Sequence, residues 1–181
     1  MESMLKEFRP TIVFLVKFLG IYLVCNLLYG AWITDWYPLP DPVTHWVTEQ
    51  SAWVLNQLGQ AAVALDYPNK PTTALQLREN VIVSVYEGCN GLNVAIVFLA
   101  FLFAFGPYRK ALLWFVPMGL AVIHVANLGR IVLLFLVSLY EPNYLYFTHK
   151  YLFTAFIYLF VFLLWVWWVL REAQCAPTCR V

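Results

Sequence analysis

Three side chains far apart along this 181-residue chain have the types that attack on a carbonyl group requires: Cys89, Arg130 and His149. A thiolate is a strong nucleophile. A fixed cation stabilises the negative charge that grows on a carbonyl oxygen under attack. An imidazole that titrates near neutrality protonates a leaving amine and deprotonates an incoming one. Together they suit acyl transfer through a covalent intermediate. Each also has a plainer reading. A free Cys is usually a small buried hydrophobe, a membrane Arg often snorkels to the interface, and His45 and His124 share the chemistry of His149.

The surroundings favour chemistry. Cys89 lies in EGCNGL, between Gly88 and Gly91, which permit tight turning and close approach of a substrate. A strand-like segment there gives way to an apolar helix, whose first N–H groups favour an anion, and Asn90 is placed to cap it. Arg130 lies in NLGRI and is followed by ten further residues of an apolar run, Ile131 to Tyr140, so it is not a helix-end anchor. An ionisable group inside a spanning helix costs about 2.5–3.5 kcal/mol on insertion scales and marks function by default. Asn127, one turn earlier, is expected to hold the guanidinium. Glu87 is expected to orient His149 or Arg130, or to face water. An anion two residues before a thiol opposes the thiolate, so its charge is expected to be engaged by a cation. His149, in FTHK, stands in a short loop feeding the last apolar run, level with Cys89. His45 is a substitute for it, and His124 lies about two turns before Arg130.

The elements that must position these residues follow from hydropathy. The chain is 62% hydrophobic and 12% charged, with mean hydropathy +0.72, against about 45–50% and about 25% in soluble domains. An all-α membrane protein is predicted, one integral domain over residues 1–181. Four apolar runs predict transmembrane helices near residues 11–33, 91–105, 111–140 and 151–170. The first reads as an uncleaved signal anchor. Between the first two lies a more polar segment, residues 34–90. Its DWYPLPDP prolines exclude a helix interior. Val43 to Leu65 carries apolar residues near helical spacing and predicts an amphipathic helix. Thr73 to Tyr86 predicts a short β-hairpin, TALQL and VIVSVY, joined at Arg78, Glu79 and Asn80.

Basic residues set the orientation. Lys6, Arg9, Arg109, Lys110, Arg171 and Arg180 flank one side, while most acidic residues fall on the other. The positive-inside rule then puts both termini in the cytoplasm of a multi-pass cell-membrane protein. From Ala111 to Arg130 a helix rises about 28 Å, so Cys89, Arg130 and His149 all reach the extracytoplasmic face. The net charge of +1 gives no reason to expect a nucleic-acid partner. Cys25, Cys89, Cys175 and Cys179 form no CxxC pair or zinc spacing, and HExxH is absent, so neither a metal nor another cofactor is expected. Cys175 and Cys179 read as tail thiols.

The chain resembles the exosortase/archaeosortase family of membrane-embedded, sortase-like transpeptidases. EGCNGL, Glu87 to Leu92, is similar to its Cys motif, NLGRI, Asn127 to Ile131, to its Asn-x-x-Arg motif, and His149 to its downstream His. The likeness covers roughly residues 83–164, and this chain looks like a compact member with four helices. The resemblance implies a cysteine protease/transpeptidase acting on secreted proteins with a C-terminal tail of short motif, transmembrane helix and basic cluster. Cys89 would be the nucleophile, Arg130 the oxyanion stabiliser and His149 the acid/base. The new carboxyl end would pass to an amine, on a membrane lipid or another acceptor.

Two other classes compete. A quinone-linked membrane thiol–disulfide oxidoreductase has similar size and topology but needs paired outer-face cysteines, and only Cys89 is expected there. A non-enzymatic membrane assembly factor would use the same polar residues only to fix helix packing.

Overall fold

The first helix, α1 (Glu2–Thr34), holds 27 residues, Phe8–Thr34, long and apolar enough to cross a membrane. At 1.5 Å per residue that is about 40 Å, more than a bilayer's ~30 Å hydrocarbon core. The computed structural model describes residues 2–106 and 110–175. Arg109, Cys179 and Arg180 lie outside the described residues, and of Lys6 and Cys175 only the helical backbone is described.

α2 (Pro42–Gln57) starts where the sequence has Asp-Pro. The Asp41 carboxylate accepts the Val43 and Thr44 backbone N–H groups, each at 3.0 Å. Pro42 takes the first turn, where its missing N–H costs nothing. The expected amphipathic helix over Val43 to Leu65 is cut short. Gly59, at φ +83°, takes the left-handed turn. The Gly59 N–H then donates to the Asn56 carbonyl and the Gln60 N–H to the Leu55 carbonyl, closing the helix end.

Residues Ala62–Asp66 form a strand, β1, rather than the end of α2. They pair antiparallel with β2 (Thr72–Leu77), which pairs antiparallel with β3 (Asn80–Tyr86). The expected hairpin is therefore two strands of a three-stranded sheet in the order β1-β2-β3. Arg78 and Glu79 turn β2 into β3 with φ of 50° and 70°, the twist a two-residue hairpin needs. One face of the sheet packs on α2. Val47 and Leu55 meet Leu75, Val83 and Val85, and this core continues into Ile131 and Phe135 of the fourth helix.

α3 (Leu92–Phe105) is apolar but only 14 residues long. α4 (Lys110–Tyr140) has 31 residues and includes Pro117. A helical turn at Pro142–Tyr144, a single turn α5 (Leu145–Phe147) and a wide π-type turn (Thr148–Leu152) lead into α6 (Phe153–Cys175). His149 thus belongs to a helical approach rather than to an open loop. Three helical stretches have spanning length: Phe8–Thr34, Lys110–Tyr140 and Pro142–Arg171. The protein is a mostly helical membrane protein, and of the four expected spans α3 falls short of the usual length. A second core holds α3, α4 and α6 together through Phe98, Phe115, Ile157 and Val161. A Cβ at Gly119 would press into the ring of Phe98, so this crossing of α3 and α4 requires glycine.

One ionic clasp joins α2 to the sheet. His45 Nδ1 lies 2.9 Å from Asp66 Oδ2, and Nε2 lies 3.2 Å from Glu49 Oε1. The hydrogen bond to Asp66 holds the imidazole pKa above its ordinary 6.5, burial opposes this, and the charges of Asp66 and Glu49 add to it. A raised folded-state pKa contributes stability that is complete below 6.5 and is lost as pH rises through the raised value. The pair is well exposed, so the effect is small. We expect the unfolding temperature of detergent-solubilised protein to decline over that window and His45→Gln to flatten the decline. An unchanged slope in the variant would assign the pH dependence to another group.

Candidate active site

β3 delivers the chain to a short 3₁₀ turn, Glu87–Cys89, and Gly91 then bends it into α3. Gly91 has φ +87°. A Cβ there would also lie 3.2 Å from the amide of Asn127, so both conformation and closeness demand glycine. At Gly88 a Cβ would run into the Tyr86 ring, which folds back over the turn.

The turn is held from three sides. The Asn90 side-chain oxygen accepts the Leu92 N–H at 2.9 Å, so Asn90 does serve the start of α3. Its amide nitrogen donates to Tyr29 Oη at 2.8 Å and to Thr44 Oγ1 at 3.2 Å. Tyr29 in turn donates to the Glu87 carbonyl at 3.2 Å. Thr44, fully buried, also bonds the Asp41 carboxylate that caps α2. From α4, Asn127 donates its amide to the Cys89 carbonyl at 3.0 Å. Asn127 is fully buried, and its side-chain oxygen has no partner among the described residues. Its expected bond to the Arg130 guanidinium is not made: the oxygen that would accept it is unpartnered, and the guanidinium reaches the thiol instead.

Arg130, one turn further along α4, reaches the thiol itself. Its Nη2 lies 3.9 Å from Cys89 Sγ, a donor-to-sulfur contact. Among the described residues Arg130 makes no ion pair with a carboxylate, and neither does Glu87. The expected engagement of Glu87 by a cation is absent, since the turn uses its backbone carbonyl and leaves its side chain half-buried. Tyr86, folded over Gly88, also stands close to the thiol. Negative charge on Cys89 is the main influence pushing the phenol pKa up, burial and a hydrogen bond to Cys89 add to it, and Arg130 opposes it. The phenol therefore lies close enough to Cys89 to respond to its charge.

The three histidines separate by their partners. His45 is held by Asp66 and Glu49. His124 stacks on Trp46, with ring centroids 5.1 Å apart, and bonds Gln50 at 2.7 Å, which pins α2 to α4. His149, half-buried on the π-type turn, lies within reach of the Arg130 charge. It also lines a cavity of about 370 Å³ between β3, α4 and α5. Cys25 and Cys89 are both free thiols, with Cys25 on α1. Among the described residues no group of His, Cys, Asp and Glu is arranged to hold a metal ion.

Sequence reasoning did not find Tyr86, Tyr29 or Thr44. A Tyr closing a β-branched strand three residues before the Cys was a usable signal for the first. The other two become site residues only through Asn90, which no spacing rule reveals.

We expect Tyr86→Phe to leave the fold intact, because the ring keeps its place over Gly88. It should slow alkylation of Cys89 only severalfold at fixed neutral pH, since Tyr86 is exposed and water takes over part of any hydrogen bond it gives to the thiolate. An unaltered rate would remove the hydroxyl from the site.

The model of a family described as transmembrane exosortase (Exosortase_EpsH) matches residues 11–168 of this chain. No curated protein and no solved structure matches it significantly.

Proposed function

We propose a function from one premise: the chain belongs to the transmembrane exosortase family, whose model covers nearly all of it. That family is transpeptidase-like and membrane-bound. The finer reading is a cysteine-dependent sorting transpeptidase. It cleaves the C-terminal tail of membrane-tethered secreted proteins and passes the new carboxyl end to an amine, carried by a membrane lipid or another acceptor. The observation that supports it is the Arg130 guanidinium 3.9 Å from the Cys89 sulfur, with no carboxylate competing for it among the described residues.

In this reading the Cys89 thiol gives its proton to His149, and sulfur bonds to the scissile carbonyl carbon. Negative charge moves to the carbonyl oxygen, where the Arg130 guanidinium and the Tyr86 hydroxyl receive it. As the C–N bond breaks, the imidazolium hands its proton to the leaving amine. A thioester on Cys89 remains. The acceptor amine attacks it and loses a proton to His149, and the thiolate leaves and recovers that proton. The new amide and the regenerated thiol complete the balance. Asn127, Asn90 and Glu87 support the turn and do not touch the reacting atoms. No second thiol accompanies Cys89 among the described residues, so a disulfide-exchange reading gains nothing from the site.

The site is read as facing the extracytoplasmic side of the cell membrane. A cysteine introduced at Lys70 should react with an impermeant thiol reagent in intact cells, and one at Tyr108 should not. The reverse pattern inverts the topology.

Substrate maturation in cells, with enzyme levels checked in the membrane fraction, tests the chemistry. Cys89→Ala should abolish processing and leave the protein folded. Arg130→Lys should also fail, because an ammonium lacks the planar fork of the guanidinium. His149→Ala should lose turnover while leaving some acyl-enzyme on Cys89. Full processing by Cys89→Ala ends the transpeptidase reading.

A further inference from the structure

We infer that the free edge of β3 is the seat of the substrate. The extended stretch of a tail just before its scissile bond adds to the sheet as a fourth strand beside Asn80–Tyr86. There it covers the cavity formed by β3, Ser138 and His149. This rests on the Cys89-dependent reading above and specifies how that site holds its substrate.

The sheet leaves β3 paired on one side only, with β2. Among the described residues, no backbone group of 80–86 bonds to anything beyond that ladder. Native sheets blunt such edges with Lys, Pro or a covering element, because unpaired N–H and C=O groups recruit another strand. The segment NVIVSVY carries neither Lys nor Pro.

The cavity of about 370 Å³ runs along this edge. Three consecutive strand residues, Ile82, Val83 and Ser84, line it together with Leu134, Ser138 and His149. Successive strand residues face opposite sides, so three in a row share one cavity where it opens at the strand's edge. Ile82 is the extra residue of a bulge, with Val81 opposite Gln76 and Val83 opposite Leu75. Such an insertion re-aims side chains beside functional sites.

A second observation comes from α4. Ser138 lines this cavity, while its hydroxyl oxygen is turned inward, buried and without a hydrogen-bond partner among the described residues. A buried polar atom left unpaired is costly, and native structures rarely tolerate one without a partner to come. Turned into the cavity, the same hydroxyl would find that partner in a peptide group lying on β3.

Continuity with the thiol identifies the occupant. β3 runs into the Glu87–Cys89 turn without a break. At about 3.3 Å per residue, an added strand along its seven residues spans about 23 Å and ends at the nucleophile. The tail must return to the membrane after the scissile bond, so the residues before it run parallel to β3, toward Cys89. In this mode main-chain hydrogen bonds give affinity whatever the sequence, and the pocket selects alternate side chains.

The test uses the full-length enzyme in membranes. The probe is a secreted protein, from the cells that make the enzyme, whose tail maturation stops with Cys89→Ala. That requirement tests the functional reading first: if no tail depends on Cys89, both ideas fall together. With such a probe in hand, Cys89→Ala enzyme carries a photoreactive p-benzoylphenylalanine in place of Ser84 on β3, or in place of Val63 on β1, the opposite edge of the sheet. Irradiation should join position 84 to the substrate residues just before the cleavage point, and position 63 to none. No adduct from position 84, or equal adducts from both, overturns the strand-addition proposal while Cys89 dependence stands. In otherwise native enzyme, Ser138→Leu fills the cavity and removes its hydroxyl. It should slow processing about tenfold, the loss expected for one buried hydrogen bond, with Cys89 alkylation unchanged. Undiminished processing with normal alkylation also overturns it.

Discussion

The hydrogen bond from the Asn127 amide to the Cys89 carbonyl ties the thiol-bearing turn to α4. Everything else at the site is placed relative to that bond. Cys89 and Asn127 are 38 residues apart, and a one-turn step along α4 then carries Arg130 to the sulfur. Gly91 is the steric counterpart, because a side chain there would displace the amide. On the far side Asn90 performs the matching task, joining the turn to Tyr29 on α1 and Thr44 on α2. Two buried asparagines therefore connect four elements through one turn. An amide is suited to this, since it donates and accepts at once and needs no counter-ion inside a water-poor core.

The electrostatics follow from the same economy of charge. A guanidinium near the hydrocarbon boundary is expensive unless something answers it. Here no carboxylate does so among the described residues; the Cys89 thiol touches Arg130, and the Arg130 charge reaches the Tyr86 phenol and the His149 imidazole. All three can change their charge during a reaction. In the proposed reaction a carboxylate would neutralise the cation permanently and weaken its pull on a transient oxyanion.

Hydropathy made the long helices legible, because length and composition alone decide whether a helix can cross a bilayer. The pair of motifs at Glu87–Leu92 and Asn127–Ile131 was legible because a Cys beside glycines and an Arg within an apolar run are each costly to keep without purpose. What stayed hidden depended on partners distant in sequence. Ala62–Asp66 continues the apolar spacing of α2 and becomes a strand only because β2 is there to pair with it. Asn127 stands at the right helical offset to hold Arg130, yet the carbonyl that takes its amide lies on another element. Tyr86 reads as one more strand aromatic until Gly88 lets its ring fold over the turn.

The shortness of α3 has a consequence for the lipid itself. Fourteen residues cover about 21 Å, roughly 9 Å less than an ordinary hydrocarbon layer, whereas its neighbour α1 overreaches that layer. A bilayer meets such hydrophobic mismatch by thinning locally, at a fraction of a kcal/mol for each ångström. In the four-span topology expected from hydropathy, thinning at the start of α3 would bring headgroups down toward the turn that carries Cys89 and open a dimple in the membrane surface above the thiol.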